Sequence, residues 1–391
     1  MPMKKPGEAV IVDAVRTPIG KKNGSLANLR PDDLASHVLR EIVRRNKIDP
    51  AVVDDVIMGC NTQTAQQAAN IGRLSVLGAG FPYTVPACTL NRACGSSQQA
   101  VNFGAQSIIT RNADVVIGAG VEHMTLLPIG ADFGEDYAAF NPKLVEKYAL
   151  VPMTMSSDMM AEKYKIPREE LDKFALWSHR KAIAAWDSGK FEKEVVPIEA
   201  PQADGETVLV KKDDSPRRDT SLEKLAALPT LHGGTTTAGN ACPINDGAAA
   251  VLLMSQEKAD ELGLKARAVV RAQAVVGVEP VICLEGPIYV MPKCLERAGL
   301  KLSDIDLMEI NEAFASVILA TGKMLKFDAQ SDKRLAVHGG SIALGHPLGA
   351  TGARLIATIL NALEDRKLRY GLVSMCVGLG LGTATIIERT K

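Results

Sequence analysis

Four residues with chemistry to offer stand at the edges of small-residue turns. Cys94 lies in Leu90-Asn91-Arg92-Ala93-Cys94-Gly95-Ser96-Ser97, His346 in Gly345-His346-Pro347-Leu348-Gly349, and Cys376 opens Cys376-Val377-Gly378-Leu379-Gly380. Asn311 follows the apolar run Leu307-Met308-Glu309-Ile310 and opens Asn311-Glu312-Ala313-Phe314-Ala315. A thiol is a strong nucleophile once its proton is gone, and an imidazole is suited to removing that proton near neutral pH. Any one of these residues alone reads as ordinary packing, as most free cysteines are. Together, at the ends of buried elements, they make a nucleophile–base arrangement.

Those positions demand particular elements. Gln98–Ile109 reads as a helix with a small-residue face, so Cys94 sits at a helix N-terminus. Unpaired backbone N–H groups there favour a thiolate over a thiol. Ala350–Leu363 reads as a second helix, entered through the Gly-rich turn that carries His346. Leu372–Cys376 reads as a buried strand. The glycines at 378, 380 and 382 resemble a dinucleotide loop, but that fingerprint requires a helix next. Thr383-Ala384-Thr385-Ile386-Ile387 follows instead, which is β-branched and strand-like. The glycines therefore serve to let backbone N–H groups approach a reacting oxygen.

Composition narrows the setting. A chain of 391 residues exceeds one typical core, and 46% apolar with 23% charged residues excludes disorder. Acidic and basic residues balance at 45 each, which offers no nucleic-acid surface. The seven cysteines are odd in number, scattered and without a C-x-x-C pair, so neither a disulfide framework nor a zinc site is expected. Reduced thiols suit the cytoplasm. No apolar run approaches the roughly 20 residues of a membrane helix, and Val10-Ile11-Val12 reads as a short strand rather than a signal segment.

Strands alternating with helices along the first 122 residues indicate an α/β fold whose sheet is covered on both faces. Residues 123–247 change texture, with Met-, Pro- and charge-bearing stretches around a helix at Pro167–Gly189. The last third repeats the first: Asn46–Cys60 and Ala298–Asn311 both run from a helix through a short linker into a buried strand. The turn-into-helix layout around Cys94 recurs around His346. A duplicated domain follows, with equivalent helix starts facing one cleft. The expected units are 1–122 with 248–272, an inserted loop domain at 123–247, and a second half at 273–391.

Four motifs in order then carry a resemblance over essentially the whole chain: Asn91-Arg92-Ala93-Cys94-Gly95-Ser96, Asn311-Glu312-Ala313-Phe314-Ala315, Gly339-Gly340-Ser341-Ile342-Ala343-Leu344-Gly345-His346-Pro347, and Cys376-Val377-Gly378-Leu379-Gly380. The chain resembles a thiolase, or acetyl-CoA C-acyltransferase, near the degradative 3-ketoacyl-CoA members. The resemblance implies a duplicated βαβαβαββ fold in five layers, α-β-α-β-α, with a CoA-binding loop domain. It implies reversible ping-pong acyl transfer through acyl-Cys94, in cleavage of 3-ketoacyl-CoA or condensation of acetyl-CoA. His346 would be the base that generates the thiolate, and Cys376 the acid–base for the acetyl-CoA carbon. Asn311, through a water, would serve the enolate with His346; backbone N–H groups of Cys94 and Gly378 would serve the tetrahedral intermediate. Met153, Ala238, Cys242, Ala313 and Phe314 would line the pantetheine, and Arg217 would meet the nucleotide end. Coenzyme A is then a substrate, no cofactor or metal is implied, and homodimers or homotetramers are. Cys242 stands where a pantetheine-contacting Ser is usual. A decarboxylating condensing enzyme on the same fold would pair its Cys with two His, whereas Asn311 and Cys376 stand here. A non-catalytic acyl-CoA or lipid binder would not need Cys94 and His346.

Overall fold

The computed structural model describes residues 7–134 and 138–390. The chain begins with β1 (Ala9–Arg16), buried at every position, and the two-residue β2 (Gly20–Lys21). Helix α1 (Pro31–Asn46) opens on Pro31, where a missing N–H costs nothing, and turns Leu34, Val38 and Ile42 inward. Then follow β3 (Asp55–Gly59), α2 (Ile71–Gly78), β4 (Ala87–Leu90), α3 (Ser96–Ile109) and β5 (Val115–His123). The chain next leaves the sheet through α4 (Pro142–Lys147), α5 (Met153–Lys163), α6 (Arg168–Asp187), the hairpin β6 (Ile198–Pro201) and β7 (Thr207–Val210), and α7 (Leu222–Ala226). It returns as β8 (Asn245–Ser255), α8 (Gln256–Glu261) and β9 (Ala268–Gly277). The remainder is α9 (Gly286–Ala298), β10 (Leu307–Ile310), α10 (Ala315–Leu325), α11 (Ser341–Leu344), α12 (Thr351–Arg366), β11 (Tyr370–Val377) and β12 (Leu381–Arg389).

The sheet carries the duplication. Its order is β10-β11-β12-β9-β1-β8-β5-β3-β4. On one side β4, β3 and β5 are parallel, and β8 and β1 continue antiparallel. On the other side Leu335, β10 and β11 are parallel, and β12 and β9 continue antiparallel. The two halves therefore share one topology, with β9 in the place of β1 and β11 in the place of β5. Their strands pair with each other at Val10 with Val269 and Ile11 with Ala268. The boundary expected at 272 falls inside β9, whose partner over most of its length is β12.

Three cores explain the layers. One joins α1 and α2 to β1, β3, β5 and β8. A second places α3 and α12 between strands of both halves. A third packs α5, α6, α9 and α10 against β10, β11 and β12. The result is helix, sheet, helix, sheet, helix, the five-layer α/β arrangement implied by the motifs. Helices α3 and α12 touch near their N-termini: Ser97 Oγ accepts the N–H of Ala353 at 3.0 Å, and a Cβ on Gly352 would lie 2.3 Å from Gln98 N. That close approach is what brings the turns before the two helices together.

The segment between β5 and β8 is bolted to both halves by one buried ion cluster. Arg16 of β1 meets Glu194 at 2.7 Å and Asp213 at 2.7 Å, and Glu194 also accepts the Thr358 hydroxyl of α12 at 3.1 Å. Removing one member strands the others without water. Arg16→Ala should destabilise the protein by about 3–5 kcal/mol, read as a lowered midpoint in urea or thermal unfolding. Among the described residues, no helix is long and apolar enough to cross a membrane.

Candidate active site

Cys94 sits between β4 and α3 on a turn that its neighbours hold rigid. Asn91 Oδ1 accepts the Ala93 N–H at 2.7 Å, and the Ser96 hydroxyl donates to Ala93 O at 2.6 Å while accepting the Arg92 N–H at 2.9 Å. Ala93 is left-handed, with φ of 40°, which stores strain immediately before the sulfur. Gly95 lets the turn lie on the second half: a Cβ there would meet Val377 Cγ2 at 2.9 Å and Thr383 Cγ2 at 3.0 Å. Cys94 is buried, and burial pushes its thiol up to about 12; the backbone N–H groups of Gly378 and of Cys94 itself pull the other way. The thiolate expected from the helix start is therefore not the resting form. Desolvation outweighs the helix end, so the proton must leave as the reaction proceeds.

His346 lies between α11 and α12, fully enclosed. Burial lowers its pKa to about 3, with the nearby Arg354 guanidinium adding to the effect, so the ring is neutral. The Thr351 hydroxyl lies 2.8 Å from Pro347 O and 2.7 Å from His346 Nδ1, and when it donates to the carbonyl it accepts from Nδ1. Nε2 is left with a lone pair, 3.3 Å from Asn311 Nδ2. A neutral imidazole with free Nε2 is a proton acceptor. Asn311 sits just past β10, its N–H bonded to Ser374 O at 2.9 Å and its Oδ1 accepting the Ser341 hydroxyl at 2.6 Å.

Cys376 lies on β11, one residue before its end, and pairs with Gly382 across the β11–β12 turn. Burial raises its thiol strongly, and Cys94 is the next cause, so the two sulfurs are neighbours in a dry site. A Cβ on Gly378 would lie 3.6 Å from Ala93 Cβ and 4.0 Å from Met153 Sδ, which puts the head of α5 at the site. The 241–242 segment pairs with the loop after Asn311: Ala241 bridges Phe314, and the Cys242 N–H donates to Ala313 O at 2.9 Å. Half-buried Cys242 is pushed up to about 12 by burial, with Cys94 the next cause. Ala238 is exposed on the same segment. Arg217 lies apart at the surface, joined through its N–H to His179 Nδ1 at 3.2 Å. Among the described residues, no group of three or more His, Cys, Asp or Glu is arranged to hold a metal ion.

Sequence reasoning missed the residues that orient this set. Thr351 fixes the His346 tautomer, Ser341 fixes Asn311, and Glu122 clamps the loops, accepting the N–H of Asn61 at 2.8 Å and of Gly349 at 2.8 Å. Ser341 and Thr351 flank His346 in the chain, which was the available signal.

Known proteins resemble the chain in sequence and fold. The thiolase N-terminal domain model matches residues 9–257 and the thiolase C-terminal domain model residues 264–389. A steroid 3-ketoacyl-CoA thiolase of Mycobacterium tuberculosis is 44% identical over 98% of this chain and 94% of its own. A 3-ketoacyl-CoA thiolase of Escherichia fergusonii is 44% identical over 98% and 99%. Among solved structures, a Bacillus anthracis acetyl-CoA acetyltransferase superposes with a TM-score of 0.90 at 39% identity, covering 99% of this chain and 100% of its own. Human mitochondrial 3-ketoacyl-CoA thiolase superposes with a TM-score of 0.89 at 36% identity, over 98% and 99%. With both halves matched in order and nearly end to end, the chain belongs to the thiolase family.

Proposed function

We infer that the protein catalyses CoA-dependent cleavage of a 3-ketoacyl-CoA to acetyl-CoA and a shortened acyl-CoA, and the reverse condensation. One observation carries the reading. Cys94 of the first half and Cys376 of the second are neighbouring buried thiols, a backbone N–H of the Gly378 turn is directed at Cys94, and His346 of the second half is a buried, neutral, base-form imidazole.

Cys94 Sγ attacks the 3-keto carbon as His346 Nε2 takes its proton. The oxyanion sits against the N–H groups of Cys94 and Gly378. The C2–C3 bond breaks, its electrons forming the acetyl-CoA enolate, and Cys376 gives that carbon a proton. His346 and a water held by Asn311 hold the enolate oxygen. A second CoA thiol passes its proton to the Cys376 thiolate and attacks acyl-Cys94. The departing Cys94 sulfur recovers its proton from His346. Buried, protonated thiols suit both sulfurs, because each must hold its proton until the substrate asks for it.

For CoA, the reading uses Met153, Ala238, Cys242, Ala313 and Phe314 around the pantetheine and Arg217 toward the nucleotide. Residues 123–247 act as the CoA-binding insertion. Coenzyme A enters as a substrate, and no other group is invoked. The enzyme works as a homodimer or homotetramer: β4 ends the sheet order, an edge suited to pairing with a second copy. Seven free thiols suit the cytoplasm.

The test is a cleavage assay with CoA across 3-ketoacyl-CoA lengths from acetoacetyl-CoA upward. Acetyl-CoA and an acyl-CoA two carbons shorter should appear in equal amounts, with ping-pong kinetics. Folded protein that cleaves no length would overturn the reading.

A further inference from the structure

Arg354, on α12, is a buried cation with little ion pairing to offset its burial. Its side chain is enclosed, and Nε and Nη1 have no partner among the described residues. The carboxylate acting most strongly on it, Glu309, has an Oε2 equally without one. Burying a charge this way is costly unless its remaining contacts do something the fold needs. Arg354 makes two of them: Nη2 donates to Ser341 Oγ at 2.6 Å and, more weakly, to Gly345 O at 3.5 Å.

The first contact fixes a direction. A guanidinium donates and never accepts. Ser341 Oγ must therefore accept from Arg354, which leaves its one proton for Asn311 Oδ1 at 2.6 Å. With its oxygen so used, the Asn311 carboxamide must present its NH2 to His346 Nε2 at 3.3 Å. Nε2 must then be the unprotonated nitrogen, in agreement with Thr351 on the other side of the ring. Without Arg354 the Ser341 hydroxyl is free to turn round and accept from Asn311. The amide would flip, its oxygen would face Nε2, and the tautomer with Nε2–H would be favoured. That tautomer cannot take the Cys94 proton.

We propose that Arg354 and Ser341 are positioning residues that set the hydrogen-bond polarity of the Asn311–His346 pair, so that His346 Nε2 is the base. The proposal rests on the thiolase roles given above. Neither residue touches substrate; each acts through Asn311.

The test compares Arg354→Lys, Arg354→Gln and Ser341→Ala with the unaltered enzyme. Lysine is donor-only, whereas the glutamine amide can offer its oxygen to Ser341 and reverse the chain. Acetylation of Cys94 by acetyl-CoA is followed by rapid quench and peptide mass spectrometry, alongside thermal unfolding. Misplacing the base should slow acetylation on the order of 10²-fold in Arg354→Gln and Ser341→Ala. Arg354→Lys should recover most of that loss at an unfolding midpoint no higher than that of Arg354→Gln. Equal rates for the Lys and Gln variants, or a folded Ser341→Ala enzyme at the unaltered rate, would overturn the proposal. If Arg354→Gln fails to fold, Ser341→Ala alone decides it. An unaltered enzyme that is never acetylated on Cys94 would instead remove the thiolase roles.

Discussion

Cys376→Ala should leave an enzyme that still takes an acetyl group from acetyl-CoA but neither makes nor breaks the carbon–carbon bond at a useful rate. The sulfur lies on β11 beside Cys94, and burial keeps it protonated. In the proposed mechanism it gives a proton to the enolate carbon, a contribution on the order of 10²–10⁴-fold. Acyl transfer between Cys94 and CoA asks for no proton at carbon, and the CoA thiol, with a pKa of about 8.5, can give its proton to solvent when Cys376 is absent. Cleavage of acetoacetyl-CoA should therefore fall by about 10³-fold, while exchange of labelled CoA into acetyl-CoA falls much less. Equal losses in both reactions would end the division of labour between the two cysteines.

Cys94→Ala has the larger effect. Cleavage and exchange should both drop by about 10⁴-fold or more, as expected when the nucleophile of a coupled site is removed. The fold should survive, because Asn91 and Ser96 hold the turn without help from the sulfur. A near-unchanged thermal midpoint with both activities gone is the expected pair of results. Residual exchange in Cys94→Ala near the unaltered rate would move the acyl carrier elsewhere.

Much of this was legible from residue types. Reactive side chains beside glycines mark places where backbone comes close to something, and Cys94, His346 and Cys376 all stand there. The buried strands and the helix start around them were readable because β5 and β11 are mostly apolar or small and α3 opens on two serines. The repeat was readable because two halves with one topology bury the same positions.

What was not legible depends on contacts across the chain. Helix α5 was hidden in a Met-rich stretch because its inward face is partly polar: Ser156 donates to Val281 O at 2.6 Å, and Ser157 meets Ser316 at 2.8 Å. Whether β9 belongs with β1 or β12 is a matter of pairing, and an apolar strand pattern suits both. The resting protonation of Cys94 was hidden for a similar reason. The helix start is local and visible, whereas the desolvation that overrides it comes from both halves closing over the sulfur. Arg354 reads as a surface residue late in the first turn of a helix; only the packing of α12 between two sheets buries it.

The most direct measurement is peptide mass spectrometry of the folded protein after incubation with acetyl-CoA. The account predicts one acetyl group per chain, carried on the peptide containing Cys94 and lost again when free CoA is added. An unmodified Cys94 peptide, or acetyl on another cysteine in its place, would contradict it.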